Sequence, residues 1–235
     1  MNIQPHSFWQ EILPAAGYRE RERFEDAYPA FWGNGKCLLL PIRPLSDGQH
    51  ALASLILNQA SFTVQDALSE ALAARLRDAE IDVIVGLPTL GLTLAAAVAR
   101  ALGHCRYVPL GTSRKFWYRD ELSVPLSSIT TPEQIKRLYM DPRMLPLLEG
   151  KRVGLVDDVI SSGTSILSGL ALLHLVGIEP VAIGVAMLQS DRWRARLSDE
   201  GGYPLEQVFG VLETPLLERA GDGLWMRPRS VISSC

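Results

Sequence analysis

From residue 62 to residue 188 the chain alternates short apolar runs with segments of helical period, and nothing else in it constrains the fold as strongly. Val64, Ala67, Leu68, Ala71, Leu72 and Leu76 recur at helical spacing, with Thr63 as the expected N-cap and Asp66 three residues on. Val83-Ile84-Val85-Gly86 reads as a short apolar strand, and Leu92 to Leu102 as an alanine-rich helix stopped by Gly103. Arg106 to Leu110 reads as a third strand, followed by a long irregular stretch from Gly111 to Thr131 and a strand at Ile135 to Met140. Val153 to Val156 is a buried-looking strand, Thr164 to Val176 a helix ended by Gly177, and Val181 to Leu188 another apolar strand. Strands alternating with amphipathic helices build βαβ units, so the expected class is α/β with a central, mostly parallel sheet flanked by helices. In such sheets ligands bind beyond the carboxyl ends of the strands. The loops after Val85, Leu110, Val156 and Leu188 are therefore the places to look for a site.

The N-terminal part is built differently. Cys37 to Ile42 and Ala53 to Leu57 read as strands joined through Ser46-Asp47-Gly48, and Gly33-Asn34-Gly35 is a turn signal. Arg19 to Arg23 alternates in sign with its glutamates, the pattern of a solvated helix face. The 235 residues are 47% hydrophobic and 21% charged, which excludes a disordered or fibrous chain. With 23 basic against 26 acidic residues the net charge is -3, and a dedicated nucleic-acid binder is not expected. Apolar runs fall short of the roughly 20 residues of a membrane span, and the start, Met1 to His6, lacks a signal pattern. Three scattered cysteines (Cys37, Cys105, Cys235) and four dispersed histidines form no disulfide framework and no zinc cluster. A cytoplasmic protein is expected.

The most informative loop is Asp157-Asp158-Val159-Ile160-Ser161-Ser162-Gly163-Thr164-Ser165, where two adjacent carboxylates leave a strand and a hydroxyl-rich turn opens a helix. Backbone N–H groups at a helix N-terminus bind anions, and the helix dipole adds to them. Gly163 lets the backbone approach closely, while Ser161, Ser162, Thr164 and Ser165 add hydroxyl donors. Carboxylates would repel a phosphate, so Asp157 and Asp158 make sense as holders of sugar hydroxyls or of a magnesium shell, through substrate or water. Phosphate and diol side by side describe a sugar phosphate.

The run Val153 to Ser165 resembles the phosphoribosyl-pyrophosphate signature of type I phosphoribosyltransferases: four mainly apolar residues, two acids, two apolar residues, then a Ser/Thr-Gly-x-Ser/Thr loop. The resemblance implies that Asp157 and Asp158 contact the ribose 2′ and 3′ hydroxyls. It implies that Ser161, Ser162, Gly163, Thr164 and Ser165 cradle the 5′-phosphate.

Three further loops fit the same frame. Thr89, Leu90 and Gly91 occupy the place of the family's pyrophosphate loop. Leu92-Thr93 stands where a P-loop would need Lys-Ser/Thr, and Leu90 where many members of the family carry Arg or Lys. The stretch Gly111 to Thr131 takes the place of the mobile catalytic loop. Arg114-Lys115 resembles the basic start of that loop in adenine and orotate enzymes, and Phe116, Trp117 and Tyr118 would exclude water on closure. A subunit contact is the alternative role for this stretch. Gln189 and Trp193 lie where related purine enzymes read the base, by hydrogen bonding and stacking, or else on a plain surface loop. Ser161 replaces the Asp of the hypoxanthine–guanine branch, and Ser127-Ser128 with Arg137 to Met140 look more like the adenine/xanthine branch.

The resemblance covers roughly Phe62 to Leu188. It implies residues 1–61 as an N-terminal hood segment, 62–200 as the phosphoribosyltransferase core, and 201–235 as a tail that joins the hood or the sheet edge, all in one structural domain. The implied reaction is magnesium-dependent transfer of ribose 5-phosphate from phosphoribosyl pyrophosphate to a nucleobase, adenine-like purine favoured, releasing pyrophosphate from a homodimer. The alternative is a non-catalytic regulatory protein of the same fold that binds phosphoribosyl pyrophosphate.

Overall fold

The computed structural model describes residues 3–33, 35–126 and 136–228. In chain order the hood opens with β1 (Leu13–Pro14), β2 (Ala27–Trp32), β3 (Lys36–Pro44) and β4 (His50–Ala53). The core follows with α1 (Phe62–Leu76), β5 (Val83–Gly86), α2 (Gly91–Ala101) and β6 (Val108–Pro109). A small hairpin, β7 (Ser123–Pro125) with β8 (Arg137–Tyr139), precedes β9 (Val153–Ile160), α3 (Thr164–His174) and β10 (Ala182–Gln189). The chain closes with the single turn α4 (Arg192–Ala195), then β11 (Val208–Thr214), β12 (Leu217–Arg219) and β13 (Trp225–Met226).

Two principal sheets result. The core sheet is parallel throughout, ordered β11-β10-β9-β5-β6. Its central strands are buried on both faces, so they read as unbroken apolar runs. The second sheet is antiparallel, ordered β1-β3-β4-β12-β13 with β2 against β3, and forms the hood. The tail therefore serves both sheets: β11 is the edge of the core sheet, while β12 and β13 complete the hood.

Several local expectations are corrected. Arg19 to Arg23 forms no helix; Arg19 and Arg21 lie over the rings of Phe31 and Tyr18, and the aromatics Phe8, Trp9, Phe24, Tyr28 and Trp32 are core residues. The expected strand Ala53 to Leu57 lies earlier, at His50–Ala53, and Leu57 starts a 3-10 turn. Ser61, rather than Thr63, caps α1 by accepting from the Val64 amide at 3.3 Å. The strand expected over Arg106 to Leu110 shrinks to Val108–Pro109, with Leu110 still donating to the Gly86 carbonyl at 2.9 Å. The supposedly irregular stretch from Gly111 contains β7, anchored by Arg137, which donates to the Ser123 hydroxyl at 3.0 Å and to its carbonyl at 3.0 Å. Ser127, Ser128 and residues to 135 lie outside the described residues.

The largest correction concerns β9, which runs on through the acid pair to Ile160. Asp157 stands opposite Val185, and Ile160 opposite Leu188, in an unbroken ladder with β10. Backbone pairing between two buried strands overrides the low strand propensity of aspartate.

The site is assembled where α2 meets β9. A Cβ on Gly91 would lie 2.5 Å from Asp157 Oδ1 and 2.8 Å from Asp157 Cα, so the first turn of α2 rests directly on the backbone of the acid pair. Because the obstructing atoms include main chain, they cannot swing aside. Gly91→Ala is expected to cost about 2–4 kcal/mol and to lower Tm by roughly 4–16 °C. Gly17→Ala, with nothing within 4 Å, is the control expected to change stability by less than about 0.5 kcal/mol. Thermal melts of the two variants check this.

Candidate active site

Asp157 and Asp158 occupy the carboxyl half of β9, with Asp157 only 5% exposed and Asp158 half-buried. The Asp158 amide donates to Asp157 Oδ1 at 2.9 Å. No cation pairs with either carboxylate among the described residues. Burial, then the neighbouring Asp158, holds the Asp157 carboxyl well above the ordinary carboxylate range, and burial raises Asp158 as well. Two like charges at one desolvated point share a proton more easily than they both ionise.

Immediately beyond, Val159 to Ile166 wrap a cavity of about 100 Å³. Gly163 has φ +81° and introduces α3; a Cβ there would also strike Leu197 Cδ1 at 2.8 Å, so both conformation and space demand glycine. Ser162 Oγ and Thr164 Oγ1 are 3.0 Å apart. The free amides of the first turn of α3 and these hydroxyls form an anion nest beside the acid pair.

Thr89 and Leu90 lie between β5 and α2, and Gly91 opens α2. Leu87 extends the ladder by donating to the Val156 carbonyl at 2.9 Å, so this loop starts beside the residue that precedes the acid pair. Thr89 is exposed and Leu90 half-buried. The Gly91 contact with Asp157 seats this loop on the acid pair.

Arg114 and Lys115 are not brought to that centre. Both are exposed, and Arg114 is paired with Asp120 of its own loop at 2.8 Å. No hydrogen bond or ion pair among the described residues joins either to Asp157, Asp158 or the phosphate nest. The aromatic residues behind them divide their roles. Phe116 is 92% exposed, whereas Trp117 donates to Asp141 Oδ2 at 3.1 Å and lies under the Arg143 guanidinium at 4.3 Å. Hydrogen bonds from Arg143, chiefly, pull the Asp141 carboxyl down to about 2. Asp141 was not singled out by the sequence; its place just after β8 and before Pro142 is an N-cap signal, and its side chain accepts from the Arg143 amide.

Gln189 and Trp193, expected to read the base, are both buried. Gln189 is buried, and its amide donates to the Ala53 carbonyl at 2.6 Å, tying β10 to the hood strand β4. Trp193 is 1% exposed and belongs to the core, so it offers no ring face to a ligand. What sequence reasoning missed lies on either side of it. Arg192 donates to Ser161 Oγ at 3.2 Å, and Arg196 donates to Thr164 Oγ1 at 2.8 Å. Their i, i+4 spacing around a tryptophan was the available signal.

Comparison with known proteins agrees with this geometry. The profile of the phosphoribosyl transferase domain matches residues 59–215. A xanthine phosphoribosyltransferase from an Exiguobacterium species is 26% identical over 172 residues, covering 72% of this chain and 86% of the relative. An adenine phosphoribosyltransferase from Cupriavidus necator is 28% identical over 137 residues, 57% of this chain and 67% of the relative. An orotate phosphoribosyltransferase from Halorhodospira halophila is 30% identical over 140 residues, covering 59% of this chain and only 56% of that relative. Among solved structures, the Giardia lamblia adenine phosphoribosyltransferase complexed with 9-deazaadenine shares the fold with a TM-score of 0.53 at 22% identity, over 80% of this chain and 92% of that one. Parallel core sheet, antiparallel hood, acid pair and anion nest thus coincide with a profile match over more than half the sequence, and the chain belongs to the phosphoribosyltransferase family.

Proposed function

We propose that this protein transfers the 5-phosphoribosyl group of phosphoribosyl pyrophosphate to a purine base, with adenine favoured, using magnesium and releasing pyrophosphate. The observation that carries the reading is the buried, uncompensated acid pair joined to an anion nest at the end of one strand. Desolvated carboxylates are costly unless something polar meets them. A ribose diol supplies two hydroxyl donors, and the adjoining nest takes the 5′-phosphate of the same sugar. Family relatives that act on xanthine and on adenine support a purine.

The reaction breaks the bond from C1 of the ribose to pyrophosphate and forms one to a ring nitrogen, whose proton is lost. Positive charge grows on the sugar as the bond breaks. Asp157 and Asp158 orient the diol and favour that charge, while the backbone amides of Thr89, Leu90 and Gly91 receive the pyrophosphate. Asp157 and Asp158 are hard oxygen donors suited to magnesium, and no third His, Cys, Asp or Glu joins them in a metal-binding group among the described residues. They fit an ion whose remaining ligands come from substrate and water. When bound, magnesium neutralises charge on the departing pyrophosphate.

A second reading, a regulatory protein that binds phosphoribosyl pyrophosphate without turning it over, is favoured by two observations: Leu90 supplies no cation, and Trp117 fastens the loop to Asp141. Pyrophosphate release across a panel of purine and pyrimidine bases separates the two. Turnover with adenine is expected; sugar-phosphate binding with no turnover for any base makes the protein a sensor.

The acid pair gives a prediction with opposite signs for stability and binding. Because the folded Asp157 carboxyl sits above its ordinary value of 3.8, the folded state holds protons that the unfolded chain releases. Stability therefore falls as pH rises from about 4 toward the folded value. Asp157→Asn keeps the Oδ1 acceptor, removes the charge, and is expected to flatten that fall and to raise Tm at neutral pH by roughly 2–8 °C. The same variant is expected to lose binding of phosphoribosyl pyrophosphate in calorimetry; unchanged affinity refutes the assignment.

For the loop, the expected role is in the transition state. Arg114 leaves Asp120 and acts with Lys115 on the departing pyrophosphate, so each alanine variant lowers kcat and kcat/KM together, by roughly 30- to 1,000-fold. KM for the sugar phosphate stays within about twofold. Steady-state kinetics decide it: full turnover, or lost subunit association in its place, assigns these residues to an interface.

A further inference from the structure

The α4 turn carries Arg192 and Arg194, Arg196 follows directly after it, and the three arginines are not equivalent. Arg194 is turned to Asp191 at 2.9 Å and over the ring of Trp193. Arg196 is clamped by Glu200 through two hydrogen bonds of 3.0 and 3.1 Å, leaving Nη1 to donate to Thr164 Oγ1 and, at 3.2 Å, to the Ser162 carbonyl. Arg192 donates to Ser161 Oγ and to Ser190 Oγ, both at 3.2 Å, and forms no ion pair among the described residues. Buried Trp193 holds the turn against the phosphate nest, its Cβ 3.6 Å from where a Gly163 side chain would begin. One guanidinium thus reaches each flank of the nest, and the one at Ser161 has no carboxylate partner among the described residues.

We propose that Arg192 is a phosphate-binding residue of this site and that Arg196, held by Glu200, is a positioning residue that fixes the hydroxyl of Thr164 toward the same phosphate. The inference rests on the sugar-phosphate reading above and adds to it. A nest of amides and hydroxyls accepts any small anion. A guanidinium at its rim adds a fork suited to the two or three oxygens of a phosphate monoester. It also redistributes charge along the site. With Leu90 in the pyrophosphate loop, the fixed cations sit at the monoester end, so affinity comes chiefly from the 5′-phosphate and little from the leaving group. A 5′-phosphorylated ribose without pyrophosphate is then a strong ligand in its own right.

The test is calorimetry of the full chain with ribose 5-phosphate and with phosphoribosyl pyrophosphate, each in magnesium buffer at two salt concentrations. Arg192→Ala is expected to weaken both ligands by the same factor, about 10- to 100-fold, because the lost contact is to their shared end. The dependence of affinity on salt is expected to become shallower, and Arg192→Lys to restore that dependence but only part of the affinity. Arg196→Ala is expected to weaken both by about 3- to 10-fold. Melting temperatures within about 2 °C of the parent establish that the fold is intact. Wild-type affinity for ribose 5-phosphate in Arg192→Ala overturns the proposal, as does a loss confined to phosphoribosyl pyrophosphate, which moves the arginine to the other end. If the parent protein binds neither sugar phosphate, the sugar-phosphate reading itself falls and the arginine assignment with it.

Discussion

The site is organised around the packing of the α2 N-terminus on the backbone of Asp157 and Asp158. That contact seats the loop after β5 on the acid pair of β9, and it requires glycine at position 91. It also keeps water from the inner carboxylate, which is why Asp157 resists ionisation. A neutral, close-packed core would be more stable with an apolar residue there. The chain instead keeps two acids where three parallel strands, β5, β9 and β10, converge. The rest of the architecture follows from holding that point rigid: the ladder from β9 to β10 continues past the acids to Ile160, and the nest begins only one residue later.

Rigidity also has to reach the hood, since a second sheet resting on the first could otherwise slide. One buried polar link joins them, and a further side-chain bond braces the core itself. Gln189 at the end of β10 donates to Ala53 at the end of β4, and the chain then crosses directly from β11 in the core sheet to β12 in the hood. On the far side Arg75 of α1 donates to the Gly210 and Val211 carbonyls of β11. These are hydrogen bonds from long side chains to backbone carbonyls, which no sequence period reveals. For that reason the tie of Gln189 to the hood is visible only in the structure.

The same distinction explains what was legible. Apolar runs such as Val83 to Gly86 and Ala182 to Gln189 declared the parallel sheet, because strands buried on both faces leave an unbroken hydrophobic trace. Gly163 and the hydroxyls around it declared the nest, because a left-handed turn with a close approach leaves a compositional trace. The short hood strands declared themselves poorly. Ala27 to Trp32 contains a proline and mixes aromatic with small residues, so neither period is visible, and its partner β3 decides its conformation. Trp193 shows the limit most plainly: an aromatic beside two arginines reads equally as a stacking platform or as a buried pivot, and only its 1% exposure decides. As a pivot it holds Arg192 and Arg196 against the hydroxyls of the nest.

Charge placement then links the loops into one electrostatic arrangement. The acid pair lies between two anion-receiving loops, the nest of α3 and the first turn of α2, both built from backbone donors. Arg192 and Arg196 add guanidinium donors to the nest, whereas the other loop carries Thr89 and Leu90 and draws no ion pair among the described residues. The remaining cations, Arg114 and Lys115, ride on a loop that Trp117 fastens to Asp141, and one of them is already matched by Asp120. On the proposed reading such a site separates holding from reacting: the nest is complete in the resting fold, and Arg114 and Lys115 join the site only when the Trp117–Asp141 bond and the Arg114–Asp120 pair are given up. Breaking one exposed ion pair and one neutral-to-carboxylate hydrogen bond costs on the order of 1–4 kcal/mol, which on that reading is met by the charge that develops on the departing pyrophosphate rather than by ground-state affinity. Transfer and sensing then differ, on this fold, by whether the ligand supplies that energy.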